Sequence, residues 1–279
     1  MESELPTFKK PPLVETAIGV QFQVIDGLKN AHLATFWQSI RDDFPKIFDV
    51  ELLPEQIESF GEQARRMSRF PSFRIGSSGG AARMQMASLD DQEMVQVQNG
   101  RLVFNWRQTP GGEYPRWRRV FPRFTAHLDK FSKVLAENGL GRMTPVQWEV
   151  VYVNHLTKGR DWSSPMDWPM LLPGLIGDVS KISVGALESI GYSAHIGLPQ
   201  ARGRVHMDLY NGFSGIEGNA PETLVFQITA RGGLLEPRLD SVYDGLQLGH
   251  VAIVQTFCDL TGREAQAGWE REVPKSCQS

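Results

Sequence analysis

Cysteine is scarce in this chain: 279 residues hold two, Cys258 and Cys277, and neither has a C-x-x-C partner. That scarcity argues against a disulfide framework or a structural zinc site, and fits a reducing cytoplasm. Long apolar runs are also missing. No stretch reaches the roughly 20 apolar residues needed to span a bilayer, and the opening MESELPTFKKPPLVE is acidic and then proline-rich, unlike a signal peptide. No sign of charge dominates, the formal net charge being -3. No global field therefore steers the protein to nucleic acid or an anionic membrane, and any anion binding must come from a local patch. The glycines form neither G-x-G-x-x-G nor G-x-x-x-x-G-K-[ST]. The carboxylates form no recognisable acid-base pair, and no base stands at a nucleophile's spacing from Cys258. No catalytic residue is assigned, no cofactor is indicated, and the balance tips away from an enzyme.

The chain does have a globular balance, 41% hydrophobic and 22% charged, with enough length to bury a full core. Its densest cationic run lies between Arg101 and Phe131, RLVFNWRQTPGGEYPRWRRVFPRFTAHLDKF. Glu93 to Gln98 and Arg101 to Arg107 read as a hairpin, because Asn99-Gly100 tolerates positive φ at both positions of a type I′ turn. That turn sets Gln98 opposite Arg101, Gln96 opposite Val103 and Met94 opposite Asn105. Leu102, Phe104 and Trp106 then share the core face with Val95 and Val97. A proline- and glycine-rich corner follows, and after it a long helix to Asn138 with Phe124, Leu128, Phe131 and Leu135 on its buried stripe.

The order of elements repeats. The first half reads as a strand over Ile18 to Val24, a helix over Ala31 to Asp43, an irregular excursion from Phe44 to Ala81 with a short helix near Pro54 to Phe60, a strand over Arg83 to Leu89, the hairpin and the long helix. After Pro145, Val146-Gln147-Trp148-Glu149-Val150 echoes Val20-Gln21-Phe22-Gln23-Val24 at an offset of 126 residues, as Phe257 echoes Phe131. The second half offers a short helix at Met166 to Ile176, strands near Ile182 to Leu198, Gly203 to Tyr210 and Thr223 to Arg231, and a closing helix from Asp240 to Thr261. The expected fold is α+β: two β-α-β-β-β-α units, 1–144 and 145–279, forming antiparallel sheets with the long helices on one face and a pseudo-two-fold between them.

Two places could carry chemistry. Arg107, Arg116, Arg118, Arg119 and Arg123, interleaved with Tyr114 and Trp117, are suited to bind carboxylate or phosphate oxygens bidentately and to stack on rings. Cations are disfavoured at a helix N-terminus, so these arginines call for a partner: a ligand, or an acid such as Glu149 or Asp129. In the hairpin around Pro199 to Arg202, pairing Leu198 with Gly203 puts His195 opposite His206, and Ser193 opposite Asp208, a set able to ligate a divalent metal. The plainer reading leaves these histidines on an ordinary outer face. His250, alone on an apolar helical stripe, reads as a satisfied core histidine.

Lys10-Pro11-Pro12-Leu13-Val14-Glu15 before a strand, Asn105-Trp106-Arg107 and Tyr114-Pro115-Arg116-Trp117 resemble the signatures of an uncharacterised, sporadically distributed family of bacterial and archaeal proteins. The length and the position of Trp269-Glu270 are similar to that family too. The resemblance implies no activity and no site residues. A looser likeness in element order is to the duplicated ligand-binding sheets of gyrase-inhibitor and haem-binding SOUL proteins. The leading expectation is a cytoplasmic, non-catalytic binding protein whose arginine corner engages an anionic ligand, nucleic acid or an acidic protein. The alternatives are a small-molecule sensor with a cleft between the halves, lined by Trp148, Tyr152, Trp106 and Phe226, and a metal-dependent enzyme using His195, His206 and Asp208.

Overall fold

The computed structural model describes residues 5–59, 83–213 and 220–272. In chain order its elements are β1 (Thr7–Phe8), β2 (Leu13–Phe22), α1 (Asn30–Gln38), β3 (Lys46–Val50), β4 (Arg83–Ala87), β5 (Glu93–Gln98), β6 (Arg101–Arg107) and α2 (Trp117–Glu137), then β7 (Pro145–Thr157), α3 (Trp168–Leu171), β8 (Gly191–Gly197), β9 (Arg204–Phe213), β10 (Glu222–Gly233), α4 (Leu239–Leu260), α5 (Arg263–Gly268) and β11 (Arg271–Glu272). The α+β class read from the sequence is the class observed.

Nine strands make one antiparallel sheet in the order β3-β4-β5-β6-β2-β7-β10-β9-β8. The two halves of the chain meet at β2 and β7, where Gln21 is the Cα partner of Gln147 and Val20 of Trp148. From that seam outward one half runs β2, β6, β5, β4 and the other β7, β10, β9, β8, with β3 added beyond β4. The hairpin register expected from Asn99-Gly100 is the one found, with Gln98 opposite Arg101 and Met94 opposite Asn105. β1 and β11 form a separate ribbon that ties Thr7 to Glu272.

One face of the sheet is apolar because the strands alternate. Ile18, Val20, Leu102, Phe104, Trp148, Val150, Phe226 and Ile228 are buried there beneath α2 and α4. Trp148 is the largest piece to be housed, and glycines make its seat: a β-carbon at Gly245 would stand 2.1 Å from the indole, and at Gly249 2.6 Å. On the opposite, open face the same alternation puts polar side chains. Gln85 donates to Gln96 (3.0 Å), Gln96 to Asn105 (2.7 Å) and Asn105 to Glu15 (2.8 Å), a hydrogen-bonded row across four strands.

Several boundaries differ from expectation. Val24 lies beyond β2 and is exposed, so the five-residue echo aligns strand ends and not whole strands. β3 falls inside the expected irregular excursion; at the sheet edge its Ile47 and Phe48 stay exposed, so no buried periodicity marks it. Residues 51–59 form no helix, and Phe60 and the GSSGG stretch lie outside the described residues, as does Cys277. The strand expected from Ile182 begins only at Gly191. The closing helix runs Leu239–Leu260, one residue earlier at each end than the expected Asp240 to Thr261. Among the described residues no helix is long and apolar enough to cross a membrane.

Candidate functional site at the arginine corner

The corner is built where β6 runs out. Arg107 donates its amide to the Gln92 carbonyl (2.7 Å) and Gln108 donates to Val14 (2.8 Å), the last ladder bonds before Pro110-Gly111 reverses the chain. Arg116, the N-cap of α2, has φ 67 and ψ 156, a positive-φ conformation uncommon for a residue with a side chain. Its carbonyl then accepts from the amides of Arg119 (3.0 Å) and Val120 (3.1 Å) to start the helix.

Three hollows meet at Tyr114 and Arg116. The largest, about 960 Å³, lies between Lys9–Pro11, the corner, the turn at Gly159–Ser163 and α5. The second, about 590 Å³, is lined by Arg116, Arg118, Arg119 and Arg123 facing Asp43, Asp90 and Glu93. The third, about 520 Å³, is apolar: Phe8, Leu13, Trp117, Tyr152, Ile253, Val254 and Phe257 form its walls, and Arg116 and Arg118 stand among them.

A buried polar chain runs along the third hollow. The Tyr114 hydroxyl lies 3.1 Å from that of Tyr152, which lies 2.9 Å from Nδ1 of His250. The His250 ring stacks on Trp117 at 4.4 Å and 5°, and Trp117 Nε1 donates to Gln247 at 2.9 Å. Burial holds the His250 imidazole down to about 4, so it is neutral at neutral pH. It is a satisfied core histidine that also borders a cavity.

Of the seven binding residues expected, Tyr114, Arg116, Trp117, Arg118, Arg119 and Arg123 line these hollows; Arg107 is an exposed neighbour at the end of β6. Arg123 pairs with Glu93, whose carboxyl burial pushes up, against the pull of Arg123 itself. Arg107, Arg116, Arg118 and Arg119 form no ion pair among the described residues. Glu149 is not their partner: it faces Arg101 (3.7 Å) and Arg231 (3.4 Å) on the open face of the sheet. Asp129 lies instead beside Tyr243, whose hydroxyl is raised to about 12, first by burial and then by that charge.

The proposed cleft residues divide. Tyr152 lines the apolar hollow and Trp106, though 2% exposed, borders the second, while Trp148 and Phe226 are almost fully buried, with the sheet continuous from one half to the other. The histidine hairpin has the expected register, His195 opposite His206 and Ser193 opposite Asp208, with the imidazoles 4.5 Å apart. His206 turns its Nε2 to the Glu58 carboxylate (2.8 Å), and among the described residues no group of three His, Cys, Asp or Glu is disposed to hold a metal.

A second cluster was not foreseen. Residues 51–59 cross the open face, where Glu58 meets Arg204, His206 and Arg231. Burial alone would raise the Glu58 carboxyl; the His206 hydrogen bond and the charges of His206, Arg204 and Arg231 outweigh it and hold the group low. Arg204 lies 146 positions from Glu58, a separation no local pattern bridges. The only sequence trace is a run of polar side chains on alternating strand positions: Gln21, Gln98, Gln147, Glu149 and Arg231.

No protein-family model matches the chain, and no curated protein matches it. The stretches at 10–15, 105–107 and 114–117 meet in space. Pro11 and Leu13 share hollows with Tyr114 and Arg116, Glu15 is the Cα partner of Arg107, and Asn105 donates to Glu15.

Proposed function

We propose that this chain is a non-catalytic binding protein for a small amphipathic anion. The carboxylate or phosphate head sits at Arg116 and Arg118, and the apolar body fills the hollow between β7, α4 and the β1 leg. The observation that carries this reading is the hollow itself: about 520 Å³, walled by Trp117, Ile253, Val254 and Phe257, with two guanidinium groups that have no ion pair among the described residues. That size suits a small molecule, and apolar walls with few polar groups favour an oriented ligand. Guanidinium groups suit carboxylate and phosphate heads alike.

Calorimetric titration with decanoate and with decyl phosphate tests it. Binding of either is expected, about tenfold weaker in an Arg116→Ala/Arg118→Ala variant and abolished by Val254→Trp, which fills the hollow. Absence of binding by both probes, together with no small molecule retained in native mass spectra of the purified protein, would overturn it.

Exposed Arg118 and Arg119 also support the broader reading of an acidic protein or nucleic-acid partner at the same corner. Competition of an oligonucleotide with decyl phosphate separates the two. The matching strand order on either side of the β2–β7 seam supports an internal duplication with a pseudo-two-fold, and the scarcity of cysteine supports a cytoplasmic setting.

A further inference from the structure

The segment that crosses the open face is held in an unusual way. The Gln98 side chain accepts from the Leu53 amide (2.9 Å) and donates to the Leu53 carbonyl (3.0 Å), as a neighbouring strand would. Gln147 accepts from the Glu58 amide (2.6 Å) and donates to the Gln56 carbonyl (2.6 Å). Gln21, its partner across the seam, donates to that same carbonyl (3.0 Å). Among the described residues the hydrogen bonds of these three glutamines to the segment all go to main-chain atoms, a mode of holding that does not depend on the peptide's side chains. Side-chain recognition comes from Arg204, His206 and Arg231. The Glu58 carboxylate is gripped by Arg204, His206 and Arg231, and Arg231 also donates to the Gln56 side chain (2.7 Å).

The segment adds little to the core. Among the described residues it forms no backbone–backbone hydrogen bond outside the regular elements, and Leu52 and Ile57 stay 36% and 50% exposed. The surface beneath is polar (Gln21, Gln98, Arg101, Gln147, Glu149) and tolerates water when uncovered. Segments with few buried apolar contacts open at lower free energy than core strands.

We propose that the open face of the sheet is a second binding site, for an extended peptide carrying a glutamate, and that residues 53–58 are its intramolecular occupant. The recognised chemistry is a stretch of free main chain followed by one carboxylate placed at Arg204, His206 and Arg231. A tethered occupant competes at an effective concentration in the millimolar range, so a peptide in solution reaches the site only when the resident segment is released.

The test uses the full chain with residues 52–59 replaced by an equal length of Gly and Ser, and a labelled peptide of sequence ELLPEQIES, Glu51 to Ser59. Anisotropy should show binding to the replaced chain and none to the intact one. Binding should weaken about tenfold with a Gln at the Glu58 position of the peptide, and likewise with Arg204→Ala in the chain. No binding to a replaced chain whose circular dichroism matches the intact protein would overturn the proposal, as would equal binding of the Glu and Gln peptides. If the replaced chain fails to fold, hydrogen exchange of the intact protein decides. The amides of Leu53 and Glu58 should exchange far faster than those of Trp148 and Val150, and faster still in Arg204→Ala. Equal protection of all four amides would make the segment a fixed part of the core and sink the idea.

Discussion

Gly245 of α4 lies directly on the indole of Trp148 in β7, so close that a β-carbon would meet Trp148 Cδ1 at 2.1 Å. Glycine weakens a helix interior by about 1 kcal/mol relative to alanine. Here the trade favours the tryptophan, which is 1% exposed and underlies two turns of the helix through Gly245 and Gly249. Gly245→Ala should therefore destabilise the protein by about 1–3 kcal/mol, although alanine is the better helix former. Denaturant midpoints measure this, and a stabilised Gly245→Ala protein would contradict the seat.

His127 behaves differently. Its ring lies against Phe44 and Phe104, and both nitrogens are buried without a hydrogen-bond partner among the described residues. Burial, with Arg123 and Lys130 nearby, brings it down to about 3. His127→Leu should raise stability by roughly 1 kcal/mol, since it removes two unsatisfied polar atoms at similar volume. Thermal unfolding at pH 7 is the measurement.

Acid should weaken the fold before its carboxylates are fully protonated. His250 falls from 6.5 to about 4 on folding, so the unfolded chain takes up this proton first and stability drops as pH falls from about 6.5 to about 4. The loss from this one group is about 3 kcal/mol. His127 continues the trend down to about 3. A stability profile in urea between pH 7 and 4 should slope accordingly, and less steeply in His127→Leu.

Tyr152→Phe removes the hydroxyl that joins Tyr114 to His250. Nδ1 of His250 loses that bond inside the core, at a cost of about 1–3 kcal/mol. Thermal unfolding should record the loss, with the far-ultraviolet spectrum unchanged.

Cys258 has its thiol raised to about 11, chiefly by burial. Against an ordinary value of 9 this leaves roughly a hundredfold less thiolate. In a Cys277→Ser background, maleimide labelling at pH 8 should be correspondingly slow, and prompt labelling would refute the assignment.

What the sequence made legible was local. Asn99-Gly100 set the hairpin register, and Phe124, Leu128, Phe131 and Leu135 set the buried face of α2, because a two-residue turn and a 3.6-residue period leave few alternatives. The pairing of His195 with His206 followed from setting Leu198 opposite Gly203 across Pro199 to Arg202, together with strand alternation. β3 was not legible, since its apolar residues face water at an edge. Nor was the Glu58 cluster, whose members come from the excursion, β9 and β10 and meet only through tertiary structure. The arginine corner was visible as composition. Its hollows were not, because their far walls come from β1, α4 and α5, remote in the chain.

Arg116 occupies a main-chain conformation, φ 67 and ψ 156, that glycine adopts freely and a side-chain-bearing residue adopts at a cost of about 1–3 kcal/mol. The direction of its Cα–Cβ bond is thus set by the peptide path, and the guanidinium reaches out from that root. Relaxing that path with glycine would make the molecule sturdier and the corner blunter, so robustness and grip pull in opposite directions at this single residue.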